Sequence, residues 1–433
     1  MINIKSAPFN AVGDGVTDDT AAIQAAITYA QTFSTSSPYT GEVVYFPAGE
    51  YLVSSTITVS KSNIYLRGEG KGVTLIARNA AYNHTFAFDS GGIIQNVGIS
   101  GMTIFHDVSL GHVMTGGHVY FNAALHFKCE DMNIQAGGYG IISAGGVYGY
   151  INNCHLQGDY ISGNAAKNST VGLYFIPTTV VGAVPIATII NVTNTQINST
   201  TSVNLYCGYR YGCVINGAEE MHFTNCTFNG CYYTNMYLQQ LNDNRPILEI
   251  TYDSCFFDGM PGFSFWVDGA TGNGSQCISR IRLNNCGING EGFTAAYGNG
   301  YGIYIDPTNR GGTYPQALMG LQVSNSTIQG CYSDGIYLSG NDIILTGNNI
   351  FQNNKKPSGT ANGITVTGTT SRFSIVGGSI GGVNGSTDLQ KYAITVASGA
   401  SDFIITGVDT TKNTTGGILN SSTSPSKLIA NNL

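Results

Sequence analysis

Charge is what this sequence is short of. Only 10% of its 433 residues are Asp, Glu, Lys or Arg, against 58 glycines and 26 tyrosines. Exposed helix faces are usually built from Lys and Glu, so such a composition points to strands and tight turns. The net charge is −7 and no Lys/Arg cluster occurs, so the basic footprint of a nucleic-acid binder is missing. No window approaches the roughly 18 consecutive apolar residues of a membrane span, and membrane insertion is not expected. The N-terminus, Met1-Ile2-Asn3-Ile4-Lys5, lacks the apolar core of a secretion signal. The expectation is folding in a cytoplasm, or export by a route that uses no such signal. Ten cysteines are present, yet none forms a Cys-x-x-Cys pair, which argues against a zinc site or disulfides. No metal or other cofactor is expected.

What the sequence does have is repetition. One five-residue frame reads Asn204-Leu205-Tyr206-Cys207-Gly208, Asn235-Met236-Tyr237-Leu238-Gln239, Ser264-Phe265-Trp266-Val267-Asp268, Gly302-Ile303-Tyr304-Ile305-Asp306 and Gly335-Ile336-Tyr337-Leu338-Ser339. Alternate side chains of a strand face opposite ways. Met236, Phe265, Ile303 and Ile336 therefore point inward, and Tyr206, Tyr237, Trp266, Tyr304 and Tyr337 form an outward column with Asp268 and Asp306 alongside. A second frame, apolar-x-Asn-Cys-x-apolar-x-Gly, is centred on Cys154, Cys226, Cys255 and Cys286 and, with Ser in place of Cys, on Ser326, with weaker copies at Met102, Met132, Thr195, Asn348, Gly378 and Val408. Successive centres lie 22 to 41 residues apart, the period of a solenoid. The four cysteines then form a buried stack, and the residue before each is a turn position in the left-handed region that Asn tolerates.

The opening, Phe9-Asn10-Ala11-Val12-Gly13-Asp14-Gly15-Val16-Thr17-Asp18-Asp19-Thr20, leads into a segment with Ile23, Ala26 and Ile27 at helical spacing. Asp18 or Asp19 suits its N-cap, and the helix would cover an open solenoid end. This stretch, with Val43 to Tyr51 and Leu66-Arg67-Gly68-Glu69-Gly70, resembles the N-terminal signature of the pectate-lyase-like β-helix superfamily, which includes many bacteriophage tailspikes and polysaccharide depolymerases. The resemblance implies an all-β, single-stranded right-handed parallel β-helix: a cap over residues 1–35 with one short helix, and a body over 36–433. Long repeat intervals put loop excursions near 159–186 and 291–318, and such loops on a rigid scaffold tend to carry function. Asp14, Asp18 and Asp19 belong to the scaffold in this reading.

Exposed rings beside carboxylates suit a sugar polymer, whose C–H faces stack on aromatic faces while its hydroxyls meet polar groups. Asp268 and Asp306, on adjacent rungs, have the pairing glycoside hydrolysis uses. Glu291 and Asp243 are further candidate acids. Tyr206, Asn235, Tyr237, Gln239, Trp266, Tyr304, Arg310, Asp334 and Tyr337 are candidate substrate contacts. His126 falls in a similar apolar-ring-apolar frame several rungs away. The same ring face has two other uses, as a surface covered by the excursion loops or as a contact between subunits.

The reading is an endo-acting glycoside hydrolase of tailspike type acting on a bacterial capsule, O-antigen or exopolysaccharide, located on a virion tail or outside the cell. The resemblance implies a homotrimer. The polygalacturonase catalytic set is absent, so that mechanism does not carry over. A polysaccharide lyase acting at a uronate, using Tyr304 and Arg310, and a non-catalytic glycan-binding spike are the alternatives.

Overall fold

The computed structural model describes residues 1–34, 41–80, 83–106, 116–135, 137–158, 170–199, 209–231, 233–240, 245–259, 262–269, 278–290, 300–306, 318–355, 359–382 and 389–433. Tyr206, Asp243, Glu291 and Arg310 lie outside them. The chain is a single-stranded right-handed parallel β-helix, and it divides into two compact units, Met1–Cys213 and Val214–Leu433.

In the first unit one sheet runs Ile57–Val59, Phe86–Phe88, Gly117–Asn122, Tyr139–Ala144 and Val171–Ile176, every neighbouring pair parallel. The last of these strands lies inside the stretch expected as the first excursion. The single helix among the described residues, Thr20–Gln31, buries Ile23, Ala26, Ile27 and Ala30, as their spacing requires. Its Gln24 side chain donates to Thr58 O at 2.9 Å and accepts from Thr58 N at 2.8 Å. The helix thus satisfies the edge strand Ile57–Val59, which would otherwise offer open ladder groups. Asp19 stands at the N-cap but makes no capping bond. Its carboxylate instead accepts Val12 N at 2.6 Å and Gly13 N at 2.9 Å, tying down the preceding loop.

The second unit repeats the plan with a sheet of Thr234–Gln239, Phe263–Asp268, Tyr301–Ile305, Ile336–Leu338, Ile364–Val366, Tyr392–Val396 and Gly416–Asn420. Its inward column, Met236, Phe265, Ile303 and Ile336, is fully buried. The second frame is in register too: Thr227 pairs with Phe256, Phe256 with Gly287, Gly287 with Thr327 and Thr327 with Asn349. Asn225, Ser254, Asn285 and Asn325 take φ of 53°, 54°, 52° and 50°, the left-handed turn expected before each rung centre. Cys226, Cys255 and Cys286 are buried and unbridged, and burial pushes the Cys286 thiol up to about 12. Such thiols are core atoms without nucleophilic character.

A second left-handed corner, with no Asn or Cys to announce it, falls at Glu220, Glu249, Arg280, Gly320, Asp342, Arg372 and Asp402. Cross-rung ion pairs dress it, Arg280 to Glu249 at 2.8 Å and Arg372 to Asp342 at 2.7 Å. The same corner in the first unit holds Asn96, His126, Tyr148 and Ile189. His126 is therefore not in the ring-column frame. It lies on Ala124–Gln135, whose partners are Ile94–His106 and Val147–Asn152 in the other sheet. The apolar residues around it suggest a period-two strand, but the chain bends at His126 itself.

Candidate functional site

The ring column of the second unit is a single ladder. Tyr237 pairs with Trp266, Trp266 with Tyr304, and Tyr304 with Tyr337. It ends at Thr365, which pairs with Tyr337. The rings divide into two stacks, Tyr237 on Trp266 at 4.5 Å and Tyr304 on Tyr337 at 5.2 Å between centroids. Phe263 bridges them, 4.7 Å from Trp266 and 5.0 Å from Tyr304. Tyr301 packs 4.9 Å from Tyr304.

Phe263 and Tyr301 form a second row that strand alternation does not reveal. Each stands three residues before its column ring, at the corner where the chain enters the sheet and the period of two fails. The signal available in the sequence was the repeat itself, Phe263 and Tyr301 preceding Trp266 and Tyr304 by equal intervals. This second row also explains why the column is less open than expected. Trp266, Tyr304 and Tyr337 are half-buried, while Tyr237 and Phe263 are each 6% exposed.

Two positions beyond the rings, Gln239 pairs with Asp268, and Asp306 N donates to Val267 O at 3.0 Å in the parallel ladder. Asp268 and Asp306 thus occupy equivalent positions on adjacent rungs, a spacing of about 4.8 Å. This is the same rung step at which the ring column splits into its two stacks. The Tyr237 hydroxyl donates to Asp268 Oδ2 at 2.5 Å, and Asp268 is 5% exposed. That bond fixes the carboxylate's direction. Asp306 is half-buried.

Asp334 continues the second row beyond Tyr301, whose neighbour Gly302 donates to Asp334 O. Its side chain accepts Asn362 N at 2.5 Å, and burial pushes its carboxyl up to about 6 against these hydrogen bonds. Burial, then the nearby Asp306 and Asp268 carboxylates, raise the Tyr304 phenol to about 12, and burial with Asp334 does the same to Tyr301. These phenols are donors at neutral pH, not bases.

Asn235 does not serve the expected role. It is fully buried, and its amide donates to Asp258 O at 3.3 Å. Though at an outward position of its strand, it is tied by that bond to the strand Phe256–Asp258.

A family model described as rhamnogalacturonase A/epimerase, pectate lyase-like, matches residues 1–255. The chain belongs to this family. Among curated relatives, mannuronan C5-epimerase AlgE5 of Azotobacter vinelandii is 48% identical over 81 residues, 17% of this chain and 7% of the relative. Alginate lyase 7 of the same organism is 46% identical over 80 residues, 17% of this chain and 8% of the relative. The chain thus spans a small fraction of the length of these proteins. The family's fold is also seen in solved structures. The A-module of the Azotobacter vinelandii epimerase AlgE6 aligns with a TM-score of 0.61 and 16% identity over 100% of this chain and 99% of that module. The tailspike of Escherichia coli bacteriophage HK620, in complex with a pentasaccharide, aligns with a TM-score of 0.65 and 15% identity over 99% of this chain and 80% of its own.

Proposed function

We propose that the protein is a polysaccharide-cleaving enzyme whose site is the ring column of the second unit, with Asp268 and Asp306 as the hydrolytic pair. The observation that carries this reading is a coincidence of position: the two carboxylates stand on adjacent rungs at the step where the column parts into two stacks. A glycan laid along the sheet then has one ring pair, Tyr237 and Trp266, on one side of the acids and the other, Tyr304 and Tyr337, on the far side. Four rungs extend over about 14 Å, room for sugars on both sides of an internal linkage. Cleavage divides the work between the carboxyls, one giving a proton to the glycosidic oxygen and the other attacking or activating water. The rung spacing of about 4.8 Å is close to the 5–5.5 Å typical of retaining pairs. Tyr237 keeps Asp268 aimed.

The second reading is proton abstraction beside a uronate, by elimination or epimerisation. The family description and the mannuronan epimerase and alginate lyase relatives favour it. The raised phenols count against a tyrosine base, and Asp268 or Asp306 would have to take the proton instead. The likeness to tailspikes supports a virion-tail or extracellular setting and a homotrimer.

The deciding experiment incubates uronate-containing and neutral bacterial polysaccharides with wild type, Asp268→Asn and Asp306→Asn. New reducing ends without ultraviolet absorbance support hydrolysis, and absorbance from a new double bond supports elimination. Inverted C5 centres in an uncut chain support epimerisation. Full activity in both variants removes the proposed pair. Trp266 is the only tryptophan, so its emission reports occupancy of the column directly.

A further inference from the structure

The first unit carries an aromatic groove of its own, on the sheet opposite the one that matches the ring column. It encloses about 310 Å³ and is lined by Tyr65, His126, Lys128, Tyr148 and Tyr150 together with the Gln95–Asn96 turn. Register explains how it forms. Tyr65 pairs with Gly98, Gly98 with Lys128, and Lys128 with Tyr150. A Cβ at Gly98 would stand 3.1 Å from the Tyr65 ring, so glycine there lets that ring lie down across the neighbouring strand. On the other flank the His126 and Tyr148 rings stack at 4.8 Å, 8° from parallel.

Two features set this groove apart from ordinary surface. Tyr148 and Tyr150 are 44% and 49% exposed, so water meets ring faces that a scaffold alone would bury. His126 and Tyr148 also sit at the left-handed corner, with φ of 52° and 55°. That conformation disfavours bulky residues, and the second unit fills the same corner with Gly or charged side chains. The groove's cation is Lys128, exposed between the ring faces. Glu130, one outward position further on, faces the same column as Arg67, each pairing with Ser100.

From this geometry we infer that the groove is a second, non-catalytic glycan subsite that selects an acidic sugar unit. The C–H face of the sugar rests on Tyr150 and on the His126–Tyr148 stack, and its carboxylate meets the Lys128 ammonium. The small volume suits a single ring more than a long chain. The site stands whether or not the ring column of the second unit is catalytic.

The test uses the full chain, tetramers of galacturonate and mannuronate, and a neutral galactose tetramer, with affinity measured by calorimetry. Expected is tighter binding of at least one acidic tetramer than of the neutral one. Tyr150→Ala and Lys128→Gln should each weaken that binding at least fivefold, and Lys128→Gln should leave the neutral tetramer unchanged. The Trp266 response to polymer should stay as in wild type. Both side chains are exposed, and an unchanged melting temperature confirms folding. The inference is overturned if no acidic tetramer binds, if the neutral one binds equally well, or if both variants bind like wild type. It also fails if the acidic tetramer perturbs Trp266 and the variants abolish that signal, since the probe would then sit on the ring column.

Discussion

The same sheet position is decorated differently in the two units. In the second, the outward column is Tyr237, Trp266, Tyr304 and Tyr337, with Asp268 and Asp306 two residues on. In the first, the matching column is Ala87, Tyr120, Ile142 and Tyr174, and two residues on stand Asp89, Asn122, Ala144 and Ile176. Here Asp89 has an amide for a neighbour, not a second acid, and Asn122 Nδ2 donates to Asp89 Oδ1 at 3.1 Å. Asn122 Oδ1 in turn accepts from Thr178 at 2.7 Å. One carboxylate in a closed hydrogen-bond chain is architecture, whereas two on adjacent rungs beside an aromatic platform are a candidate site. The scaffold is common to both, and the chemistry depends on what neighbouring rungs place side by side.

The comparison breaks most sharply on activity. Asp268→Asn and Asp306→Asn should each lower turnover roughly a thousandfold, within the usual range for an acid or base group, while Asp89→Asn should leave it within about twofold. Reducing-end assays on all three decide the matter, and equal losses would dissolve the distinction between the units. Next in size is the contrast between the two faces of one strand. Phe265 is fully buried and meets Tyr252 edge-on at 5.2 Å, so Phe265→Ala should cost about 3–5 kcal/mol in urea unfolding. Half-buried Trp266, its neighbour, should cost about 1–2 kcal/mol as Ala but lose polymer binding.

How far the sequence discloses this depends on whether a rule of periodicity reaches the residue concerned. Met236, Phe265, Ile303 and Ile336 follow strict alternation, and both their burial and the outward ladder of rings could be read directly. The left-handed turns at Asn225 and Asn285 were legible because Asn tolerates that conformation. The corners were not. Phe263 and Tyr301 enter the site from a position where alternation has stopped, and Asn235 has outward parity yet is fully buried. His126 mimics the ring frame on the wrong sheet, because a left-handed residue inside a long strand shifts the pattern by one. Neither the split of the column nor the Tyr237–Asp268 bond has a sequence mark, since both depend on rotamers chosen by packing across rungs.

One titratable group in each unit has a pH response of the opposite sign to the other. Burial lifts the Asp334 carboxyl to about 6 from 3.8, so the folded second unit holds that proton more tightly than the unfolded chain does. Stability from this group is intact below pH 3.8 and is lost as pH rises through 6, by up to about 3 kcal/mol. Asp334→Asn keeps an acceptor for Asn362 N–H and should flatten that fall. In the first unit, burial and then Arg78 drive His84 down to about 4 from 6.5. Its contribution is present above pH 6.5 and lost as pH falls through 4. Melting temperatures of Asp334→Asn and His84→Asn across pH 3.5 to 7.5 should therefore diverge from wild type at opposite ends. Parallel curves would show that neither group is linked to folding.

The smallest expected effect lies at the second left-handed corner. Ile189 takes φ of 55° and Gly320, at the same corner in the other unit, 82°. A β-branched residue pays about 1–2 kcal/mol for that conformation, and glycine pays nothing for it. A Cβ at Gly320 would meet Arg280 N no closer than 3.4 Å, so the Cβ itself has room and the main cost of Gly320→Ile should be the backbone term of about 1–2 kcal/mol. Ile189→Asn should return part of the same quantity, about 1 kcal/mol at most, less whatever its half-buried side chain contributes. Denaturant midpoints that move in opposite directions for the two changes would establish that the corner is one conformational position filled by different residues. A loss of stability in Ile189→Asn as large as that in Gly320→Ile would mean that packing, not φ, governs the first unit's corner.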